Sequence, residues 1–150
     1  MSRFVTLFGI LGAAVIAFAT QPARADMSAC AAAAAAKDPH QQVDLYTTCL
    51  KHGGLTSTDV AGAFNNRGVG YEQIGEPDKA LQDFTSAIQY YPGWALPRAN
   101  RADIEATKGK CADAMADITA ALKLERGNKQ MLSEMTRLQA NCPIEPKAQG

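Results

Sequence analysis

Three groups of residues in this sequence have types and spacings that chemistry could use. Residues 67–75 read RGVGYEQIG and bring Gly68, Gly70 and Gly75 close together, and closely spaced glycines can let a backbone wrap an anion. A phosphate loop of that kind needs a strand before it and a Gly-Lys-Ser/Thr sequence within it, and neither is present. Asp113 and Asp117 stand four apart, which places two carboxylates on one helix face; without a partner motif they read as a solvated face. Four cysteines and two histidines, His40 and His52, complete the inventory. There is no CxxC pair and no His-ligand spacing, so no metal is expected. Neither histidine has a Ser, Cys or acid in a nucleophile motif. The residues predict no enzyme and no cofactor.

Whether the cysteines are thiols or disulfides depends on compartment, which the N-terminus addresses. Met1–Arg3 is a short positive start, residues 4–19 are predominantly apolar, and Ala23-Arg24-Ala25 follows Pro22. That order resembles a secretory signal peptide with an A-x-A site, so residues 1–25 are expected to be removed near Ala25, leaving Asp26 first. The apolar run of 16 residues is shorter than the roughly 20 a spanning helix needs. Met27-Ser28-Ala29-Cys30 loosely resembles a lipoprotein box, but Arg24 and Asp26 separate it from the apolar run. Without residues 1–25 the chain keeps 13 basic and 15 acidic residues, a net charge of −2, which gives no electrostatic case for nucleic acid or an anionic membrane. At 150 residues, 47% hydrophobic and 20% charged, it has room for one domain with a core.

The elements that position these residues follow from a repeat. Segments 61–94 and 95–128 align without gaps at a period of 34, with nine identities: Ala61/Ala95, Asn66/Asn100, Arg67/Arg101, Gly75/Gly109, Ala80/Ala114, Asp83/Asp117, Thr85/Thr119, Ala87/Ala121 and Gly93/Gly127. Chance gives about two or three. Each unit reads as two helices. Ser57–Asp59 offers caps for a helix that Gly75 stops, and Pro77 opens a second one with Ala80, Leu81, Phe84, Ala87 and Ile88 on one face. Ala114, Met115, Ile118, Ala121 and Leu122 repeat that face, and no segment alternates as a strand. The fold class is all-α.

The pattern resembles the tetratricopeptide repeat family, antiparallel helix pairs stacked into a short solenoid. The resemblance rests on Gly68 and Tyr71 in the first helix, Ala80, Phe84 and Ala87 in the second, and Pro92 after it. In the second unit it rests on Ala102, Ala114, Ile118 and Ala121. Arg67 departs from the pattern in the first unit, as do Arg98, Arg101, Glu105 and Arg126 in the second; Arg67 and Arg101 are expected to pack their stems and keep their heads wet. The resemblance implies a concave face lined by Asn65, Asn66, Val69, Glu72 and Gln73, then Asn100, Asp103 and Thr107, and by Glu134 and Arg137 on the last helix. Amides there can bond an extended peptide backbone whatever its side chains, although Asn66 and Asn100 can equally bond within the repeat. Relatives that grip a C-terminal carboxylate place Lys or Arg where this chain has Asn65, Gln130 and Glu134, so that mode is disfavoured.

The flanks fit as partial repeats. Residues 38–46 echo 76–84, with Tyr46 at the place of Phe84, and the run Ala31–Ala36 is expected as a short preceding helix. Met131, Leu132, Met135 and Leu138 make 129–142 a capping helix. The expected organisation is a signal peptide at 1–25, a disulfide-closed partial repeat at 26–60, repeats at 61–94 and 95–128, the cap, and a flexible tail at 143–150. Cys111 and Cys142 lie equally far from a turn centred between Arg126 and Gly127, and Cys30 and Cys49 equally far from Pro39/His40. In antiparallel hairpins each pair is level, which predicts disulfides Cys30–Cys49 and Cys111–Cys142, each worth roughly 3 kcal/mol in the chain-entropy picture.

The whole predicts an exported protein of small secreted or periplasmic bacterial type, acting as a protein–protein interaction module for a protein or peptide partner. A self-assembling structural subunit is the first alternative, and a small-molecule binder or enzyme the second. A non-reducing peptide map is expected to join the Cys30 peptide to that of Cys49, and that of Cys111 to that of Cys142. Cys30 joined to Cys111 or Cys142 would overturn the pairing.

Overall fold

Prolines open the helices and glycines close them. Pro39 and Pro77 each begin a helix, where a fixed φ helps and the missing N–H costs nothing. Gly75, Gly109 and Gly127 follow helix ends with φ of +78°, +74° and +82°, a conformation that a side chain would strain. After Gly75 the Glu76 N–H reaches back to the Tyr71 carbonyl, and after Gly109 the Lys110 N–H reaches that of Glu105, so both ends close alike. The computed structural model describes residues 22–52 and 54–142. Among them are seven helices and no strand: α1 (Pro22–Ala35), α2 (Pro39–His52), α3 (Ser57–Gln73), α4 (Pro77–Tyr90), α5 (Leu96–Thr107), α6 (Cys111–Leu124) and α7 (Lys129–Asn141). The expected signal segment up to residue 21 and the tail at 143–150 lie outside the described residues. Helix α1 is longer than the alanine run alone, and the cap of α3 is Thr56 rather than Ser57. The Thr56 hydroxyl accepts the Asp59 N–H while the Asp59 carboxylate accepts that of Thr56.

Each helix packs against the next in sequence. Two glycines let α3 be approached from both sides. A Cβ on Gly68 would stand 2.7 Å from Phe84 Cε1 on α4, and one on Gly70 would stand 2.9 Å from Val43 Cγ2 on α2. Gly70, which the repeat pattern does not require, is thus explained by the preceding helix pair. The interior runs along the stack as three small clusters: Ala33, Tyr46, Cys49 and Ala63; then Ala80, Phe84 and Ile104; then Ala95, Ala102, Ala114, Ile118, Ala121, Met131 and Leu138. Alanine dominates because small side chains let antiparallel helices close up. Pro92 is exposed, so it ends α4 rather than packing.

The repeats are joined by arginine. Arg67 donates Nε and Nη2 to both carboxylate oxygens of Asp83 at 2.7 and 2.8 Å, and Nη1 to the Thr47 hydroxyl at 3.1 Å. One repeat later Arg101 makes the same fork with Asp117 and reaches the Thr85 hydroxyl at 3.0 Å. Each arginine therefore ties its own helix pair together and clips it to the second helix of the pair before. The expectation of wet guanidinium heads is corrected: the side chains are 16% and 21% exposed. Asp117 likewise leaves the solvated-face reading, being 6% exposed, while Asp113 is exposed. Arg67 also lies over the rings of Phe64 and Tyr71. In the second repeat those two places hold Arg98 and Glu105, so the aromatic sandwich becomes an ion cluster around Arg101 and Asp117. The cluster is incompletely paired, since Arg98 Nε and Glu105 Oε2 are buried with no hydrogen-bond partner. Burial pushes the Glu105 carboxyl above the usual carboxylate range; the charge of Asp117 adds to this, and Arg101 opposes it.

Both ends are stapled. Cys30–Cys49 joins α1 to α2 and Cys111–Cys142 joins the start of α6 to the end of α7, with Cα separations of 5.1 and 5.3 Å. The Cys30 sulfur is thereby used and not available for a lipid thioether. Where a third arginine would stand, 34 residues after Arg101, the chain has Met135, which packs on the last apolar cluster and ends the series.

Arg101→Ala removes both short bonds to buried Asp117 and leaves it only the longer contact with Arg98 at 3.6 Å, and is expected to cost about 3 kcal/mol in urea unfolding. Arg101→Met combined with Asp117→Leu should recover only part of that loss, because the buried fork is removed whole but Arg98 and Glu105 lose the partners they have in the cluster. For Glu105 the sign is opposite to that of a stabilising ion pair. A carboxyl whose pKa is raised on folding favours the folded state when protonated, and that contribution is lost as pH rises through the folded value. Glu105→Gln is therefore expected to be the more stable protein at pH 7. Melting curves should converge as pH falls through the unfolded value of about 4.3.

Candidate functional site

The three helices α3, α5 and α7 stand at equivalent places in successive steps, and a cleft of about 550 Å³ opens along them. Its wall begins with Glu72 near the end of α3, continues with Ala99, Asn100 and Asp103 on α5, and ends with Gln130, Met131, Glu134 and Arg137 on α7. Leu96 at the start of α5 adds to it, as do Trp94, Glu125 and Asn128 in the turns that lead into α5 and α7. Much of the lining comes in pairs 34 residues apart: Trp94 with Asn128, Leu96 with Gln130, Asn100 with Glu134, and Asp103 with Arg137. The repeat thus puts the same two surfaces side by side, one step along the stack.

Local structure sets these side chains. Asn128 caps α7, its Oδ1 accepting the Gln130 and Met131 N–H groups at 3.1 and 3.2 Å while its Nδ2 donates to Glu125 at 2.8 Å. Met131, 5% exposed, forms the apolar floor with Ala99, and Trp94 is half-buried at the rim. Arg137 bridges the wall by donating to Asp103 of α5 and to Glu134 one turn back on α7. Glu134 first, and Asp103 after it, hold the guanidinium more firmly protonated than usual. Across the cleft, burial lifts the Glu72 carboxyl above the usual carboxylate range, and the negative charge of Asp103 lifts it further.

Of the residues expected on the concave face, Glu72, Asn100, Asp103 and Arg137 meet in the cleft, as does Glu134. The others do not. Asn65 is 2% exposed; its Nδ2 donates to Asn66 Oδ1 and its Oδ1 accepts from Asn100 Nδ2 at 3.0 Å. Asn66 in turn donates to the Tyr46 hydroxyl at 3.0 Å. The amides therefore form a relay from α5 through α3 to α2, the bonding within the protein that their spacing left open. Val69 packs on the cluster around Phe84, and Gln73 and Thr107 are exposed away from the cleft, Thr107 donating to the Ile104 carbonyl. Asn100 donates its Nδ2 to Asn65, and its Oδ1 accepts no hydrogen bond among the described residues. Sequence reasoning missed Trp94, Leu96, Glu125, Asn128, Gln130 and Met131. The available signal was that residues 94 and 128 close their 34-residue units, so each leads into the next first helix.

No protein-family model matches the chain, and no curated protein matches it. Solved structures do. The second tetratricopeptide domain of human RPAP3, solved with an HSP70 peptide, is 24% identical, with a TM-score of 0.66 over 79% of this chain and 95% of that one. The Arabidopsis OM64 domain is also 24% identical at a TM-score of 0.68, over 79% and 95% of the two chains. The TPR2B domain of yeast Sti1, in complex with an Hsp70 partner, is 19% identical at 0.64, over 81% and 95%. Identities this low speak to architecture and not to activity. Together with the pinned helix pairs they establish it: this chain has the tetratricopeptide-repeat fold.

Proposed function

We propose that this protein is an exported interaction module that binds an extended segment of a polypeptide partner in the cleft between α5 and α7. The observation that carries the reading is the cleft itself: an apolar floor of Ala99 and Met131, a half-buried indole, and amides of Asn100 and Gln130 along the wall. An extended chain has alternating side chains to seat on such a floor and backbone groups to meet such amides. The HSP70 peptide held by the second RPAP3 domain and the pHsp70 complex of the Sti1 domain support this mode of use. The signal-like start and the pairing of all four cysteines support export, and no helix among the described residues is long and apolar enough to cross a membrane. A second reading, self-association, draws on exposed Tyr90 and Leu124, which occupy equivalent places one repeat apart. Light scattering that gives a monomer at every concentration would remove it.

Peptides selected from an unbiased random library should shift amide resonances of α5, α7 and the 94–96 turn in NMR titrations. Trp94→Ala with Asn100→Ala is expected to weaken them roughly tenfold or more. Shifts confined to other helices would overturn the cleft as the binding site.

A further inference from the structure

The cleft is far from neutral. Four carboxylates line it, Glu72, Asp103, Glu125 and Glu134, against a single cation, Arg137. That cation is already spent, bound to Asp103 and Glu134. Glu125 is met by the neutral amide of Asn128, and Glu72 forms no ion pair among the described residues. Besides the amides of Asn100, Asn128 and Gln130, the remaining lining is apolar, with Trp94 in the turn before α5, Leu96 at the start of α5, Ala99, and Met131 on the floor. Carboxylates beside an aromatic ring and an aliphatic floor suit a long alkyl stem ending in a cation, which can lay its methylenes on the floor, face the indole and pair its head with an acid. A free carboxylate or an acidic segment would instead bring like charge against Glu72, Asp103 and Glu134.

Resting on the reading that a polypeptide occupies the cleft, we infer that the recognised segment is cationic, with a Lys or Arg beside an apolar side chain. Glu72 and Glu125 take the positive head, and Trp94 and Met131 take the stem and its apolar neighbour. Glu72 is exposed beside Asp103, so its carboxylate is open to a partner's cation. It also sets this cleft apart from one built to grip a C-terminal carboxylate, since Gln130 and Glu134 stand where cations would be needed.

Trp94 is the sole tryptophan of the chain, so its fluorescence reports occupancy of the cleft directly. Peptides free of Trp and Tyr, taken from an unbiased library by selection on the intact protein, should be enriched in Lys and Arg. They should change Trp94 fluorescence and bind more weakly as salt rises from about 50 to 300 mM. Glu72→Gln and Glu125→Gln are each expected to weaken binding about two- to fivefold, and Glu72→Lys with Glu125→Lys to reverse the charge preference. A selected pool that is neutral or acidic, yet still reports through Trp94, would overturn the charge inference and leave the peptide-binding reading standing. Binding that leaves Trp94 fluorescence and the cleft resonances unmoved, or no selectable peptide at all, would overturn both.

Discussion

A guanidinium held by a carboxylate on the adjoining helix, and at the same time by a hydroxyl on the helix pair before, is the contact on which the stacking depends. Arg67 and Arg101 each make it. The threonine they reach is itself anchored, because Thr47 and Thr85 donate their hydroxyls to the carbonyls of Val43 and Leu81 at 2.7 Å. A hydroxyl whose proton is committed to its own helix presents its lone pairs outward, so it can only accept. The bidentate fork with Asp83 or Asp117 then fixes the plane of the guanidinium, and with it the rotation of one helix pair on the next. An apolar side chain in that place would contribute contact but no direction.

Such directional contacts matter because the apolar interior is divided. Alanine-rich clusters between thin layers bury less area than a single large core, and each layer touches only its neighbours. The two disulfides close the terminal hairpins, where one neighbour is missing and fraying begins. Between them, Gly68 and Gly70 bring α4 and α2 against opposite sides of α3. The second repeat meets the same need differently. Its charged cluster around Arg101 replaces two aromatic rings, and the buried, unpaired atoms of Arg98 and Glu105 show that the exchange is not free.

The amide relay links this scaffold to the cleft. Asn100 is positioned by Asn65, and Asn65 by Asn66, which is tied to Tyr46 on α2. A side chain in the cleft is thus oriented from two layers away. Arg137 does the same from the other end, drawing α7 towards α5 through Asp103. Among the described residues the carboxylates of Glu72 and Glu125 form no ion pair, while Arg137 is taken by Asp103 and Glu134, which gives the cleft its electrostatic character.

Helices, their order, the repeat and the cysteine pairs were legible in the residues alone. Apolar spacing at Ala80, Phe84 and Ala87, proline and glycine at helix ends, and equal distances from a turn are all local or one-dimensional, and the chain needs no distant partner to express them. Glu72, Asn100, Asp103, Glu134 and Arg137 of the expected concave face line the cleft, since equivalent places in a repeat lie on equivalent faces. The tertiary structure decided which polar groups turn inward. Arg67 could be solvated or paired, and the difference rests on Asp83 arriving from another helix at a distance where a fork can close. Asn65 could face a ligand or hold its neighbours, and the stacking of one helix pair on the next brought Asn100 to it. The cleft itself, with Trp94 and Glu125 from turns, exists only once the helix pairs are stacked, because turn residues carry no periodicity and take their facing from the helices they join.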